Sequence, residues 1–591
     1  MKNYFLIGDL HTAALVSKGG SIDWMCIPHF DSPSIFARVL DPHGGTFAVE
    51  RGQFSCETSY VHDSAIVEHV FISVDNSTSY TMRDFMLPQE LGECESHYLV
   101  RRLSGVRGEH VARFYFEPKP HYGKDRATLH KEKDFIWCMI DTHRLWLHIP
   151  DGASVTATGD GYAIDVPVSA GKHVDLVLEY SSQKKASFKG NDLEKQTLDF
   201  WKTWISRGTF VDFCREKLVR SAITLKLMQF YPTGAVIAAP TTSLPEWIGG
   251  ERNWDYRYVW IRDATFSLYA LYVLGYTEEA ERFFSFIEET AKGCGECNGD
   301  IHLMYSIWGK HVPDEETLDH LQGYQNSRPI RIGNGAALQF QLDVYGSLID
   351  AHYFMSKRGI TLAPQSKNII LSLLKRIEER WQEPDSGIWE VRTGPFHFTY
   401  SKVMAWAGVN RAIELCHHFG LSDEQLERYR KLEKNIADWI WKECYDEKTG
   451  SFRQHPGTEE QDATNLLFVL LKFLDKRDPR TMKVIQRTCD ELCLNEPFVD
   501  RYHTDDGLKG DEGAFILCTF WLVSSLAITE DTDSAERIFR AFDKYIVPHA
   551  LMPEEINEEN GEYLGNYPQA FSHMGYIMSA YYIHKYQSRK K

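Results

Sequence analysis

The chain changes its hydrophobic period about a third of the way along. From about Gly45 to Ser182, polar and apolar positions alternate in short runs punctuated by Gly, Asp, Pro and Lys. Residues 46–50, 97–103, 112–117 and 173–180 are the clearest runs, short and rich in β-branched or aromatic side chains, and each predicts a strand. So many strands in one stretch predict a β-sandwich. Residues 190–206, with Leu193, Leu198, Trp201 and Trp204, then predict a linker helix.

After about residue 212 the apolar positions recur at helical spacing. Roughly twelve segments fit, beginning near Cys214, Arg262, Thr277, Gly333, Ala363, Tyr400, Ser422, Gln461, Asp478, Asp511, Thr532 and Tyr567. Ser422, followed by Glu424 and a recurring apolar set, is a good start signal. A solenoid and a closed double ring both suit this number of helices, and the lack of a short repeat disfavours the solenoid. The expected division is 1–190 for the sandwich, 191–212 for the linker helix and 213–591 for the helical domain.

Composition narrows the function. At 591 residues, two domains are expected. A formal net charge of -18 argues against a nucleic-acid partner, which needs clustered Lys and Arg. Residues 1–10 hold one Lys and too short an apolar run for a signal peptide, and no stretch approaches the ~18 apolar residues of a membrane span. Twelve scattered Cys suit reduced thiols in the cytoplasm. The oligomeric state is left open, a homo-oligomer included. Aromatics at 13%, with 15 Trp and 29 Tyr, fit large cores or a site for sugar rings.

Several chemistries lack a signature. Cys294 and Cys297 form a lone CxxC, and Cys489 with Cys493 is the one conceivable second pair for a four-thiolate zinc site, unsupported by further His or Cys spacing. HExxH, GxxxxGK[ST] and GxSxG are absent, so no metal or cofactor is expected.

Four segments carry candidate chemistry. Residues 252–263 run from a loop into a helix, with Tyr256 and Trp260 as stacking faces and Arg262 and Asp263 as partners for vicinal hydroxyls. The plainer reading makes Asp263 a helix-dipole partner. Residues 387–392 place Glu390 beside Trp389, where partial desolvation would keep a carboxyl protonated as a general acid. Arg392 opposes that shift unless it faces the substrate. Arg501, Tyr502 and His503 lead to Asp511 and Glu512, a pair that helix capping explains as well. Last, Glu554 and Glu555 precede an aromatic helix start containing His573, a buried structural group rather than a catalyst. Splitting a glycosidic bond needs two carboxyls flanking it, and Glu390 and Glu554 are the candidates.

These segments resemble glycoside hydrolase family 15, the glucoamylase, trehalase and glucodextranase family. The likeness spans nearly the whole chain: residues 7–9, 12–16, 20–24 and 30–34 resemble a trehalase-type amino-terminal domain, with His29 where Arg is usual. WDYRYVWIRD, residues 327–334, the WEVR box and GNYPQAFSH complete it in order. The resemblance implies a β-sandwich followed by an (α/α)6 barrel, and an inverting, exo-acting hydrolase that releases glucose from α-glucosides without a cofactor. It implies Glu390 as general acid and Glu554 as general base, with Glu555 one residue away. Tyr256, Trp260, Arg262 and Asp263 would hold the terminal glucose, with Trp389 and Arg392 of the WEVR box beside it; Arg328, Arg501 and Tyr502 would line the sites around the scissile bond. Trehalose and short malto- or isomalto-oligosaccharides stand level as substrates, and either Trp308 or Trp389 would meet the second sugar. A phosphorylase of related architecture and an inactive sugar-binding protein are the rivals; both carboxylates favour hydrolysis over each.

Overall fold

A computed structural model of the chain describes residues 1–90, 96–182, 192–294, 301–508, 510 and 512–589. Cys297 of the CxxC, Asp511 and the expected seam between residues 190 and 191 lie outside the described residues.

The amino-terminal part builds two eight-stranded sheets of antiparallel pairs. One begins with Tyr4–Gly8, Ala13–Ser17 and Ser21–Cys26 and passes through Thr46–Val49 to Glu109–Glu117. The other centres on Ser96–Arg107, flanked by Ser79–Met86 and His173–Ser181. Phe47, Phe114 and Phe116 of the first sheet meet Phe71, Leu99 and Leu176 of the second in one apolar cluster, which makes the pair a sandwich.

Strands were expected from Gly45 onward, yet the first begins at Tyr4. These early strands do not alternate because both of their faces are covered, which removes the period-2 signal. Phe5 and Ile7 enter the sandwich core, whereas Leu6, Leu15, Trp24 and Cys26 join the core of the helical half. One face of these early strands thus belongs to the apolar core of the helical half, the other to that of the sandwich.

Helix α1 (Leu193–Ile205) is the expected linker, capped by the Asp192 side chain. There follow α2 (Arg215–Leu227), α3 (Ile261–Val273), α4 (Thr277–Cys294), α5 (Asp343–Lys357), α6 (Pro364–Arg380) and α7 (Thr399–Glu414). Next come α8 (Cys416–Phe419), α9 (Asp423–Glu443), α10 (Leu467–Leu470), α11 (Pro479–Leu492), α12 (Ile516–Ile528), α13 (Thr532–Phe542) and α14 (Ala570–Gln587). The start at Ser422 is a capping box closed by Gln425, and Tyr429, Leu432, Ile436 and Ile440 form the buried stripe behind it. Every residue of α12 is buried, by contrast, so that helix needs no polar face. Helices α3, α5 and α7 neighbour one another in turn, as do α10, α12 and α14, and α14 packs on α3. The amphipathic α4, α6, α9, α11 and α13 lie against this buried layer.

Four expected starts move. Near Gly333 there is a 3-10 turn, Gly335–Leu338, before α5, and near Gln461 another, Ala463–Leu466, before α10. Helix α12 begins at Ile516 rather than near Asp511, behind a short strand Ala514–Phe515, and α14 begins at Ala570 rather than Tyr567. At the first, third and fourth of these, the extra residues supply lining of the cavity described next: Asn334 and Ala336, Phe515, and Gln569.

Candidate active site

Loops and first helical turns at one end of the buried helix layer enclose a cavity of about 870 Å³, counting its mouth. The strand-like segment 254–260 forms one wall. It runs beside residues 238–243, with an antiparallel bridge between Thr242 and Asp255 and bonds from Ala239 N to Tyr256 O (2.9 Å) and Ala238 N to Tyr258 O (3.0 Å). Side chains alternate along such a segment. Trp254, Tyr256 and Trp260 line the cavity, while Asp255 and Arg257 point away as a buried ion pair (2.6 Å).

Two carboxylates reach the cavity from other loops. Glu390 sits in the left-handed region (φ 60°), a strained backbone of the kind concentrated at functional sites. Its Oε1 accepts from Trp260 Nε1 (2.9 Å) and lies 3.7 Å from Arg262 Nη2. Burial pushes its pKa above the ordinary carboxyl value, with Arg262 pulling the other way. Glu554 is 1% exposed. Its Oε1 accepts from Tyr256 Oη (2.5 Å) and its Oε2 from Asn566 N (3.2 Å). Burial and the nearby Glu246 raise its pKa. Gly565 stands against this carboxylate, and a Cβ there would lie 2.4 Å from Glu554 Oε2.

The neighbour Glu555 turns away from the cavity. Its Oε2 accepts from Gly513 N (2.9 Å), and its Oε1 lies 3.2 Å from Arg501 Nη2. Of the two adjacent glutamates, then, Glu554 faces the open space. Arg501 is held on three sides, by Glu555, by Glu246 (3.2 Å) and by Glu512, whose Oε1 accepts from Nε at 3.1 Å. Ligand atoms of these three glutamates come within 4.8 Å of one another, the one such grouping among the described residues able to hold a cation. The Arg501 guanidinium is already their counter-charge. Glu512 is thus an ion-pair partner, not the helix cap expected of it.

Of the other expected site residues, Arg262, Asp263, Trp389, Arg392 and Tyr502 all line the cavity. Arg262 Nη1 donates to Gln341 Oε1 (2.9 Å). Burial pushes the Asp263 carboxyl up to about 7, against the pull of Arg262, whose Nε lies 3.3 Å from Asp263 Oδ1. Trp389 Nε1 is fixed by Asp462 Oδ2 (2.9 Å). The Arg392 guanidinium lies 4.2 Å over the Trp254 ring. Arg328 does not join them. It is exposed and spends Nη2 on Leu321 O (2.7 Å) within its own loop, outside the cavity. Trp308 packs on His29 and Phe230 (5.2 and 4.8 Å between rings) and lines nothing here, which leaves Trp389 as the tryptophan of the pair inside. His573 is fully buried between Met552 N (3.2 Å) and Ser221 Oγ (3.0 Å), a structural group.

The lining residues not named as site candidates include Arg252, Trp254, Glu246 and Asp506, the first and second of which fall within the 252–263 segment. Arg252 and Asp506 form a buried fork (2.6 and 2.9 Å) that also receives Tyr502 Oη (2.9 Å). Trp254 and Glu246 complete the wall. Trp254 was legible, two residues before Tyr256 on the same face; Glu246 sits between Pro245 and Trp247 without a pattern.

Residues 213–533 and 527–581 match Glycosyl hydrolases family 15, and residues 2–194 match Trehalase-like, N-terminal. A trehalase of Mycobacterium tuberculosis is 34% identical over 98% of this chain and 89% of its own length. A trehalase of Thermoplasma acidophilum is also 34% identical, over 96% of this chain and 97% of its own. A crystal structure of a bacterial glucoamylase complexed with acarbose aligns with a TM-score of 0.74 at 14% identity, over 98% of this chain and 94% of that one.

Proposed function

The chain belongs to glycosyl hydrolase family 15, and from that premise we propose that it is an inverting trehalase whose acid is Glu390 and whose base is Glu554. The observation that carries the reading is the placement of those two carboxylates on one cavity, each held by an aromatic donor from the same segment. The relatives named trehalase favour trehalose over malto- and isomalto-oligosaccharides. The two rows of helices are read as an (α/α)6 double ring with the cavity at one end.

In this mechanism Glu390, kept protonated by burial, gives its proton to the glycosidic oxygen as the bond to the anomeric carbon breaks. Glu554, ionised, takes a proton from a water that attacks the same carbon from the opposite face, inverting it. Tyr256 and Asn566 donate to the two oxygens of Glu554 and orient its basic lone pairs toward the water. Asp263 and Arg262 hold hydroxyls of the first glucose, while Trp389, Arg392 and the Arg252–Asp506 fork surround the second. The cysteines described are free thiols, which suits a reducing compartment. Among the described residues no helix is long and apolar enough to cross a membrane.

Glucose release from trehalose, maltose, isomaltose and maltotetraose, with the Glu390→Gln protein as blank, tests the reading. Release from trehalose of equal β- and α-glucose is expected, because water inverts one anomeric carbon and the departing half keeps its α configuration. Release only from the oligosaccharides would overturn the substrate, and α-glucose alone, with no β-anomer before mutarotation, would overturn inversion.

A further inference from the structure

Segment 254–260 has two faces, and the hydrolytic reading uses only one. Tyr256 and Trp260 meet the carboxylates; Asp255 and Arg257, at 0% and 1% exposure, lie on the other side. Arg257 forks onto Asp255, Nε to Oδ1 (2.8 Å) and Nη2 to Oδ2 (2.6 Å). Its remaining Nη1 leaves the helical domain altogether. It donates to the carbonyl of Ser32 (2.9 Å) in the amino-terminal domain and lies 3.5 Å from Cys26 Sγ, with the guanidinium 5.4 Å over the Tyr122 ring. Asp255 is equally committed: Oδ2 also accepts from Gly333 N (3.2 Å), and its carbonyl accepts from Nδ2 of Asn334 (3.4 Å), another lining residue.

We propose that Arg257 is a positioning residue, through which the amino-terminal sandwich fixes the segment that presents Tyr256 to Glu554 and Trp260 to Glu390. The proposal rests on the hydrolase reading above. A buried ion pair is a poor source of net stability, because desolvation offsets much of the attraction. What it supplies here is a fixed geometry: a planar fork with each edge bound to a different part of the molecule leaves residues 254–260 little freedom to slide or twist. Residues 32 and 257 are far apart in the chain, yet the Ser32 carbonyl is one side chain away from the wall of the cavity. The sandwich is in this sense half of the active-site frame, and Trp24 Nε1 reinforces it by donating to Pro240 O (2.7 Å) behind the adjoining segment 238–243.

The test uses full-length Arg257→Met and Arg257→Lys proteins, with kcat, KM, pH–rate profile, thermal midpoint and hydrogen exchange of residues 254–262 measured for each. Displacing the two aromatic donors by a fraction of an ångström should lower kcat by up to about 100-fold in Arg257→Met, well beyond any change in KM. The lysine variant keeps the charge without the fork and should fall between it and the wild type. In both, the pH limbs should move and residues 254–262 should exchange faster. A purely structural role would lower the thermal midpoint while leaving kcat and the pH limbs of the folded protein within about twofold of wild type, and that result overturns the proposal. Should Arg257→Met fail to fold, Arg257→Lys gives the same readout. A wild-type protein silent on every α-glucoside sinks the hydrolase reading instead; unchanged exchange at 254–262 would then overturn the bracing itself.

Discussion

Tyr256 and Trp260 meet edge to face, ring centroids 5.2 Å apart, and each donates a hydrogen bond to a different carboxylate. A single pair of rings thus spans from Glu554 to Glu390. Any movement of one ring is felt by the other, so the two carboxylates are mechanically linked.

Replacing either carboxylate by its amide should cost about 10²–10⁴-fold in kcat with the fold intact. The two losses differ in kind. An aryl α-glucoside with a good leaving group needs little protonation, so Glu390→Gln should recover on it and Glu554→Gln should not. Equal recovery by both proteins would reverse or cancel the assigned roles.

Burial raises both carboxyls. Activity requires Glu554 ionised and Glu390 protonated, so the whole bell should sit above the range of unperturbed carboxyls. The Tyr256 hydrogen bond lowers the Glu554 pKa, whereas Glu246 raises it. Tyr256→Phe should therefore move the acidic limb to higher pH, and Glu246→Gln should move it to lower pH. Shifts of the same sign in kcat/KM profiles would refute this electrostatic account.

Arg501 is the shared counter-charge of three buried or partly buried glutamates. Arg501→Met should destabilise the protein by roughly 3–5 kcal/mol, because the carboxylates are left unpaired. Arg501→Lys should lose less. Denaturant unfolding of the three proteins measures this, and equal stability for Arg501→Met would show that the glutamates are already neutral without it.

Because a guanidinium occupies that cluster, exhaustive chelation should leave glucose release unchanged. A loss restored by added divalent cation would show that the carboxylates bind an ion as well.

His549 and His573 are buried neutral, with pKa values pushed down to about 4 and about 3 from 6.5, burial being the main cause. In the unfolded chain both take up a proton below about pH 6.5. Stability should therefore be full above that pH and fall as pH drops through the window from 6.5 toward 4, by up to roughly 1.4 kcal/mol per unit for each histidine. His573→Gln should flatten the dependence; an unaltered slope in acid unfolding would exclude the histidine as its source.

The sequence exposed the helical half best where a helix carries its own boundary chemistry, as at Ser422 and Asp478. It failed where burial is complete. Tyr4–Gly8 and its neighbours are covered on both faces and show no alternation, and the wholly buried α12 has no amphipathic stripe to mark where it begins. Within the site, Tyr256, Trp260, Glu390 and Glu554 were legible because aromatic and acidic residues cluster in loops. Glu246 and Asp506 were not, since their role comes from Arg501 and Arg252, distant in sequence and adjacent only after folding. Arg328 shows the converse: a charged residue in a promising loop, consumed by that loop's own carbonyls.

The first residues are tied to distant parts of the chain: Met1 N donates to Tyr324 Oη, Lys2 O receives His549 Nε2, and Tyr4 O receives Tyr567 Oη. At a synthesis rate of roughly 5–20 residues per second, Tyr4 waits on the order of half a minute to two minutes for its partner to leave the ribosome. Early in that interval, before α2 is made, Leu6, Leu15 and Trp24 have no helix to cover them. Until they are covered, that face of the sheet presents apolar surface through which incomplete chains can associate.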